Sequence, residues 1–211
     1  MIVINFKNYK AGKNALQLAK KTQKYLPRAI ICASALDIEM IVDKTKLSVF
    51  AQHADSQEGN RATGYNILKS LKEAGAKGTL INHSEHRISF DMIKKTLREA
   101  KKFKLKIIVC ESNFNEVKKI ARLKPYAIAF EDPRLVGSGK SITKYRTRDV
   151  EKFADLLKGK DIIALCGAGI NSADDVREAY KLGCNGVLIA SAIANSKKPE
   201  ILLREIKRIE R

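Results

Sequence analysis

Residues 78–110, GTLINHSEHRISFDMIKKTLREAKKFKLKIIVC, contain one complete copy of the unit from which the chain is built. The apolar runs at 78–81 and 106–110 are each as long as a buried β-strand, and neither alternates with polar residues. Between them, apolar side chains recur at helical spacing from Phe90 to Phe103, with lysines and arginines on the opposite face. The pattern predicts two parallel strands, each covered on both faces, joined by an amphipathic helix.

The same unit recurs along the whole chain. We predict eight strands, at residues 2–6, 29–32, 47–51, 78–81, 106–110, 126–130, 161–166 and 185–190. Helical stripes are predicted at 15–25, 90–103, 153–157, 176–182 and 201–209. Asn113, and Ser172 with Asp175 three residues later, are helix-start signals. Glycines that are typical of helix ends follow several stripes, at Gly75, Gly159 and Gly183.

Eight strand–helix units in 211 residues predict an α/β fold, a closed (β/α)8 barrel forming a single domain over residues 1–211. An open doubly wound sheet is the alternative, because right-handed crossovers build both architectures. The eight-fold count favours the barrel, although the chain is at the short end of its usual size range. No Pro-, Gly- or Ser-rich linker divides the sequence, which has 4 prolines.

Composition excludes several classes of protein. Charged residues make up 30% and hydrophobic residues 45% of the chain, which favours a packed core over disorder. No apolar run approaches the ~20 residues that span a bilayer, and the N-terminus lacks a signal-peptide pattern. The 4 cysteines are far apart and form no C-x-x-C motif, so we expect a cytoplasmic protein without structural zinc. The net charge of +18 leaves nucleic acid and an anionic substrate open as partners.

Catalytic groups of such barrels lie where strands end, and three strand ends carry suitable chemistry. Glu131 ends an apolar strand and opens EDPRLVGSGKS, which is typical of a base followed by a mobile lid. His83 lies between a strand and a predicted helix start, where a neutral imidazole is favoured. The glycines of GAG at 167–169, with Gly137 and Gly139, allow backbone amides to hold a phosphate. Together with a lysine at the rim, these groups indicate proton abstraction beside the carbonyl of a small phosphorylated substrate.

Longer segments carry a family resemblance. The chain resembles the triosephosphate isomerase family in its compact archaeal form, through matching segments that run in order from end to end: VINFKNYK, FAQHAD, ATGYN, GTLINHSEHR, IIVCESN, FEDPRLVGSG, LCGAGINSADDV and GVLIAS. The resemblance implies interconversion of dihydroxyacetone phosphate and D-glyceraldehyde 3-phosphate in glycolysis and gluconeogenesis, with no metal and no cofactor.

The resemblance also implies residue roles. Glu131 would be the base, His83 the neutral electrophile, and Lys7 the cation that binds phosphate and stabilises negative charge. Asn5 would position the substrate, Glu85 would be an ionic partner of Lys7, and Ser84 would lie near the resting carboxylate of Glu131. Backbone amides would contact the phosphate at Val136, Gly137, Gly169, Ala190 and Ser191, under a lid formed by residues 132–139.

Some residues depart from the family pattern. Asp132 stands where related enzymes usually have proline; we expect its side chain to point to solvent without effect, although a desolvated second carboxylate would raise the pKa of Glu131. Gly169 replaces a serine of the longer enzymes. We assign Glu111 no role, expect His53 to support the adjoining loop, and expect His86 at the surface or at an interface.

The resemblance predicts an assembly as well. The loop at 54–66 would place Thr63 and Gly64 against a neighbouring barrel, which implies a homodimer. A tetramer through the fourth helix is disfavoured, because that helix would bring like charges together at Lys94, Lys95, Arg98, Lys101 and Lys102.

Two other functions compete with this interpretation. Another phosphate-binding barrel, such as one from an indole or thiamine pathway, would need a larger pocket and would not explain NHSE together with the glutamate lid. A barrel that binds nucleic acid would use the positive surface. Aromatic residues at 6% and the lack of an RGG or RNP-like motif argue against specific nucleic-acid binding.

Overall fold

The computed structural model describes residues 1–57 and 61–209, and its centre is a closed barrel of parallel strands. Within those residues the strands follow the chain order around the ring, and the last strand pairs with the first. They are β1 (Ile2–Asn5), β2 (Ile30–Ala33), β3 (Ser48–Ala51), β4 (Gly78–Ile81), β5 (Lys106–Glu111), β6 (Ala127–Phe130), β7 (Ile163–Cys166) and β8 (Gly186–Ile189). The closed ring confirms the predicted (β/α)8 barrel, and the open-sheet alternative is wrong.

Helices surround the ring. They are α1 (Gly12–Tyr25), α2 (Ile38–Lys44), α3 (Leu68–Glu73), α4 (Phe90–Lys102), α5 (Phe114–Ala121), α6 (Ile142–Tyr145), α7 (Thr147–Leu157), α8 (Ala173–Lys181), α9 (Ser191–Ala194) and α10 (Pro199–Ile209). A short 3-10 helix, Ala35–Asp37, precedes α2. Throughout the described ranges, no helix combines the length and the apolar character needed to cross a membrane.

The alternation of side chains along each strand divides the core in two. Inward-facing residues fill the barrel, with Phe50, Leu80 and Leu165 among the members of this inner cluster. Their neighbours along the strands face outward, where they pack against the apolar stripes of the helices. Because both faces are buried, the strands have no polar alternation, which is why their sequences read as continuous apolar runs.

Each predicted strand is present, with ends that shift by at most two residues. The helix-start signals are also confirmed: Asn113 accepts hydrogen bonds from two amides of α5, and Ser172 and Asp175 form a reciprocal capping box at α8. The stripes at 153–157 and 201–209 belong to helices that begin earlier, at Thr147 and Pro199. The predicted helix-end glycines adopt φ angles of +74° to +90°, at Gly75, Gly159 and Gly183.

The short helices were not predicted. Within the described residues α2, α3, α6 and α9 have 7, 6, 4 and 4 residues, too few for a helical stripe to repeat. The prediction of one domain over residues 1–211 remains a prediction, and residues 210–211 lie outside the described ranges.

Gly78 leaves no room for a larger residue at the start of β4. A Cβ atom there would lie 2.1 Å from the backbone oxygen of Lys106 and 2.5 Å from the Phe50 ring. Gly159 is a suitable control, because it has a φ of +74° and no atom within 4 Å of the corresponding Cβ position.

We expect Gly78→Ala to lower the free energy of unfolding by roughly 3 kcal/mol, because β5 or the Phe50 ring must move. Gly159→Ala should cost about 1 kcal/mol, from its left-handed backbone alone. Urea denaturation followed by circular dichroism measures both variants, and equal losses would contradict the close packing at Gly78.

Candidate active site

Strand alternation brings the first site residues to the mouth of the barrel. Inward-facing Val3, Ala129 and Leu188 are followed two residues later by Asn5, Glu131 and Ala190. Parallel strands end on the same side, so these residues meet at one rim. They line a narrow cleft at this rim.

An unusual backbone conformation positions Lys7 at the rim. Its φ of +43° lies in the left-handed region, which a lysine rarely adopts. The conformation is stabilised because the Lys7 amide donates to Asn5 Oδ1 at 3.0 Å and the Lys7 carbonyl accepts from Gln52 Nε2 at 3.0 Å. The ammonium group lies 2.7 Å from Glu85 Oε1, and the Glu85 side chain is 58% exposed. Glu85 is therefore an ionic partner of Lys7 in the structure.

The hydrogen bonding of His83 specifies the state of its ring. The backbone amide of Glu85 donates to His83 Nδ1 at 3.2 Å. A backbone N–H can only donate, so Nδ1 carries a lone pair, and the proton of the neutral ring is on Nε2. Nε2 lies 3.6 Å from Glu131 Oε2.

The predicted reason for a neutral His83 was wrong in one respect. The helix after β4 begins at Phe90, so His83 is not at a helix N-terminus. A single turn follows instead, in which the His86 amide donates to the His83 carbonyl at 2.8 Å. The local amide of Glu85, rather than a helix dipole, selects the neutral ring.

Glu131 is a buried carboxylate with an unsatisfied oxygen. Its side chain is 7% exposed, and Oε2 has no hydrogen-bond partner among the described residues. Gly167 makes space for it, since a Cβ there would lie 2.9 Å from Glu131 Cγ and Oε1. Burial, the Glu131 charge and hydrogen bonding to Glu131 raise the pKa of the Cys110 thiol beside it. Ser84, predicted to lie near this carboxylate, does not bind Oε2.

The opposite wall of the cleft is mostly backbone. Val136 and Gly137 of the lid segment face Gly169, Ala190 and Ser191 across the cleft. Ala168 and Gly169 are both left-handed, with φ of +71° and +67°, which turns the chain sharply after β7. A Cβ at Gly169 would lie 1.9 Å from the Lys140 carbonyl oxygen, so this turn and the end of the lid segment are in close contact. The structure thus brings all five residues predicted for the phosphate site together.

Other lining residues were missed, namely Tyr9, Ala168, Ile170 and Leu188. Apart from Tyr9 they are apolar side chains with no chemical signal in the sequence, and only their position at strand ends could have identified them.

Glu111, to which the sequence assigned no role, forms a buried network beneath His83. It is 3% exposed and accepts both 2.8 Å hydrogen bonds of Arg87 Nη2, as well as one from Asn82 Nδ2 at 3.1 Å. The amides of Ser112 and Asn113 also donate to it. Asn82 directly precedes His83 and has a φ of +60°, so this network stabilises the strained backbone that aims His83. Arg87, the arginine of the motif NHSE-x-R, was the signal in the sequence that could have identified this network.

The expectation for Asp132 was wrong. Its side chain is 8% exposed and binds two arginines, Arg134 at 2.8 Å and Arg146. Hydrogen bonds from the side chain and backbone of Arg134, with the charges of both arginines, outweigh burial and lower the pKa of Asp132 to about 2. Because this pKa is depressed below its usual 3.8, the interaction stabilises the fold above that pH and is lost as the pH falls through about 2.

His53 and His86 lie next to the site rather than in it. Their rings stack with centroids 4.0 Å apart, and His53 Nε2 is 3.2 Å from Asp55 Oδ1. Burial and the neighbouring His86 lower the pKa of His53, against the opposing effect of Asp55. Asp55 in turn binds the amide of Asn66 at 2.7 Å, so His53 supports the loop as predicted from the sequence.

Two further features do not belong to the cleft. In residues 1–57 and 61–209, no three His, Cys, Asp or Glu side chains are grouped to hold a metal ion. A larger groove of about 680 Å³ lies at the amino-terminal ends of β6 and β7, with apolar lining residues and basic edges at Lys118, Arg122, Lys124 and Lys160. These cations are part of the net charge of +18 but are remote from Glu131 and His83.

We expect Arg87→Gln to lower the free energy of unfolding by about 2–3 kcal/mol, because the buried carboxylate of Glu111 loses its charged partner. Glu111→Gln added to Arg87→Gln should recover part of this loss, since no buried charge then remains unpaired. Urea denaturation of the single and double variants measures the coupling. Simple additivity of the two losses would contradict the pairing.

The chain is similar in sequence to the members of one enzyme family. The family described as triosephosphate isomerase matches residues 1–207. The triosephosphate isomerase of Methanocaldococcus jannaschii is 37% identical, over 98% of this chain and 98% of the relative. That of Methanothermus fervidus is also 37% identical, over 98% and 96%, and that of Sulfolobus acidocaldarius is 35% identical, over 97% and 92%.

A solved structure shares the fold. The crystal structure of triosephosphate isomerase from Bartonella henselae matches with a TM-score of 0.72 and 17% sequence identity. The match covers 100% of this chain and 98% of that one. At this identity the similarity concerns the fold.

Proposed function

The chain belongs to the triosephosphate isomerase family, and on that premise we propose how its own residues interconvert dihydroxyacetone phosphate and D-glyceraldehyde 3-phosphate. The enzyme is an aldose–ketose isomerase whose substrate is a triose phosphate. The proposal concerns the roles of Glu131, His83 and Lys7, and one observation carries it: Glu131 Oε2 and His83 Nε2 are 3.6 Å apart at the bottom of the cleft.

Glu131 is the base in this proposal. Its unpartnered, buried oxygen takes the proton from C1 of dihydroxyacetone phosphate and returns it to C2. Few local hydrogen bonds hold the carboxylate, so its oxygen is available for the proton. Gly167 leaves the space in which the carboxylate moves between the two carbons.

His83 and Lys7 stabilise the enediolate between the two proton transfers. The Nε2–H of the neutral His83 donates to the substrate oxygen that gains negative charge, and exchanges a proton with the two oxygens in turn. The Lys7 ammonium adds a positive charge at the rim, and Asn5 holds the Lys7 backbone in place. Glu85 keeps the ammonium oriented at 2.7 Å without enclosing it.

Backbone amides of the opposite wall bind the phosphate. Gly137, Gly169, Ala190 and Ser191 border the cleft where no bulky side chain intervenes, and Val136 completes the wall from the lid. Substrate and product are isomers, so the proposed mechanism requires no cofactor and no metal. Residues 132–139 would cover the substrate and exclude water, which prevents loss of the phosphate from the enediolate.

The competing functions receive less support. The narrow cleft beside Glu131 and His83 suits a triose phosphate better than the larger substrates of other phosphate-binding barrels. Specific nucleic-acid binding is not part of the proposal. We also place the enzyme in the cytoplasm, because its cysteines are buried free thiols, as expected in a reducing compartment.

Glu131→Gln should lower kcat for glyceraldehyde 3-phosphate by at least about a thousandfold, because an amide cannot accept the proton. A coupled assay that consumes dihydroxyacetone phosphate with a dehydrogenase measures the rate. The control is Glu116→Gln, which removes a half-buried glutamate paired with Lys119 on α5, outside the cleft, and should leave kcat unchanged. Equal rates for wild type and Glu131→Gln would exclude Glu131 as the base.

A homodimer is the proposed assembly. Thr63 and Gly64 are exposed at the tip of the loop after β3, and Tyr65 beside them is 48% exposed. The base of this loop is fixed by Asp55, which pairs with Asn66 through backbone and side chain. Residues 58–60 of the predicted loop lie outside the described ranges. A fixed loop with an exposed tip suits insertion into a second copy of the chain.

Sedimentation should give twice the chain mass of 23.5 kDa for wild type. Thr63→Arg should shift it toward the monomer, because the tip would carry a long charged side chain into the contact. Gln17→Arg, an exposed position on α1, serves as the matched control. A wild-type monomer, or an unchanged dimer of Thr63→Arg, would contradict this interface.

A further inference from the structure

We infer that Asp132 is a positioning residue that fixes the start of the lid to the helix beyond it through Arg146, and so keeps the enediolate covered during the reaction. The inference rests on the proposed function of Glu131 and extends it to the neighbouring residue. Asp132 does not touch the cleft itself, since the residues that line the cleft include Glu131, Val136 and Gly137 but not Asp132.

The contacts of Asp132 are dense for a loop residue. Oδ1 accepts from the amide of Arg134 at 3.0 Å and from Arg134 Nε at 3.0 Å. Oδ2 accepts from Arg134 Nη2 at 2.8 Å and from Arg146 Nη1. Two guanidinium groups therefore bind one carboxylate that is 8% exposed, an arrangement in which charge-assisted hydrogen bonds are strong.

Arg146 links this cluster to the helix that follows the lid. It lies after α6 and immediately before α7, on the far side of the lid in sequence, and it also binds Asp149 of α7. The Asp132–Arg146 contact thus joins the residue that follows the base to a helix of the outer layer. The first hinge of the lid is held by an ion pair between separate elements.

The second hinge is held differently. The carbonyl of Gly139 accepts from Asn171 Nδ2 at 3.0 Å, and the amide of Ile142 donates to the Ala168 carbonyl at 3.1 Å. These contacts join the end of the lid to the turn after β7. Between the two hinges Gly137 and Ser138 are exposed. Polar contacts anchor both ends, while in the centre Leu135 packs against the hydrophobic core and the residues after Val136 are exposed, an arrangement that suits a closing segment.

Charge on Asp132 is required for this hinge. An asparagine has nearly the same size, but its amide group accepts through one oxygen and would direct N–H groups toward the arginines. Because Asp132 adjoins Glu131, movement of its backbone also moves the base. A misplacement of about 1 Å at a reacting group can cost up to a hundredfold in rate.

A displaced lid has a specific chemical consequence. In an uncovered enediolate the electron pair of the C1–C2 double bond shifts to form a C2–C3 double bond. The C3–O bond to phosphate breaks at the same time, and inorganic phosphate leaves. The remaining enol takes up a proton on carbon to become methylglyoxal. Triose phosphate thus yields methylglyoxal and phosphate with no oxidant, reductant or co-reactant. The ratio of this elimination to isomerisation therefore reports how well the lid covers the intermediate.

The test compares Asp132→Asn with Asp174→Asn, which removes an exposed aspartate paired with Arg177 on α8. Isomerisation is followed by the coupled assay, and elimination by the release of inorganic phosphate from the same triose phosphate. We expect Asp132→Asn to raise the ratio of elimination to isomerisation roughly tenfold and to lower kcat more than it raises KM. Asp174→Asn should change neither quantity. Asp132→Glu, which keeps the charge, should restore part of the loss.

Arg146→Gln provides an independent arm if Asp132→Asn folds poorly. It should raise the same ratio, and the effect of the double variant Asp132→Asn/Arg146→Gln on that ratio should be smaller than the sum of the two single effects, because the Asp132–Arg146 contact is lost in each case. Hydrogen exchange should be faster at amides 134–138 in both single variants than in wild type, a readout that does not depend on activity.

The outcomes separate this inference from the function on which it rests. Loss of thermal stability with an unchanged elimination ratio and unchanged exchange at 134–138 would reduce Asp132 to a structural role and overturn the inference alone. An active wild type that Glu131→Gln leaves unaffected would overturn the proposed base instead, whatever the exchange of the lid amides.

Discussion

The pairing of β8 with β1 is the constraint on which the remaining structure depends. Val3 lies opposite Leu188, and the Met1 carbonyl accepts the Val187 amide at 3.0 Å, so the eight strands become a ring. Gly186 permits this closure, because a Cβ there would lie 2.0 Å from the Met1 oxygen. Once the ring is closed, the carboxyl ends of all strands surround one opening, and residues far apart in sequence share a cleft.

Three buried carboxylates at this opening differ in what surrounds them. Glu111 is saturated by Arg87, Asn82 and two backbone amides, and Asp132 is bound by two arginines. Glu131 instead keeps an oxygen without a hydrogen-bond partner among the described residues and faces the ring of His83. The first two are held in place by charge pairs, while the third remains able to accept a proton. Similar side chains thus serve different purposes because their partners differ.

Much of this architecture could be predicted from the sequence. The eight apolar runs are short and uninterrupted because the strands are buried on both faces. Helix α4 is recognisable in the sequence from its apolar periodicity, and α8 from its periodicity and its capping residues. Short helices such as α2 and α6 could not be recognised, since fewer than two turns leave no repeating stripe. The helix after β4 begins at Phe90 as predicted, but a turn at His83 separates it from the strand, so His83 is not at the helix N-terminus.

The sequence by itself determined the barrel, the family and most of the residues that line the cleft, because periodicity and motif order are properties of the chain alone. Only the tertiary structure decided which charges meet. Asp132 and Arg146, or Arg87 and Glu111, are joined across elements, and no local pattern indicates whether a carboxylate will face solvent or a guanidinium. Burial and electrostatic pairing arise from the folded arrangement of separate segments, so they appear only when the ring has closed.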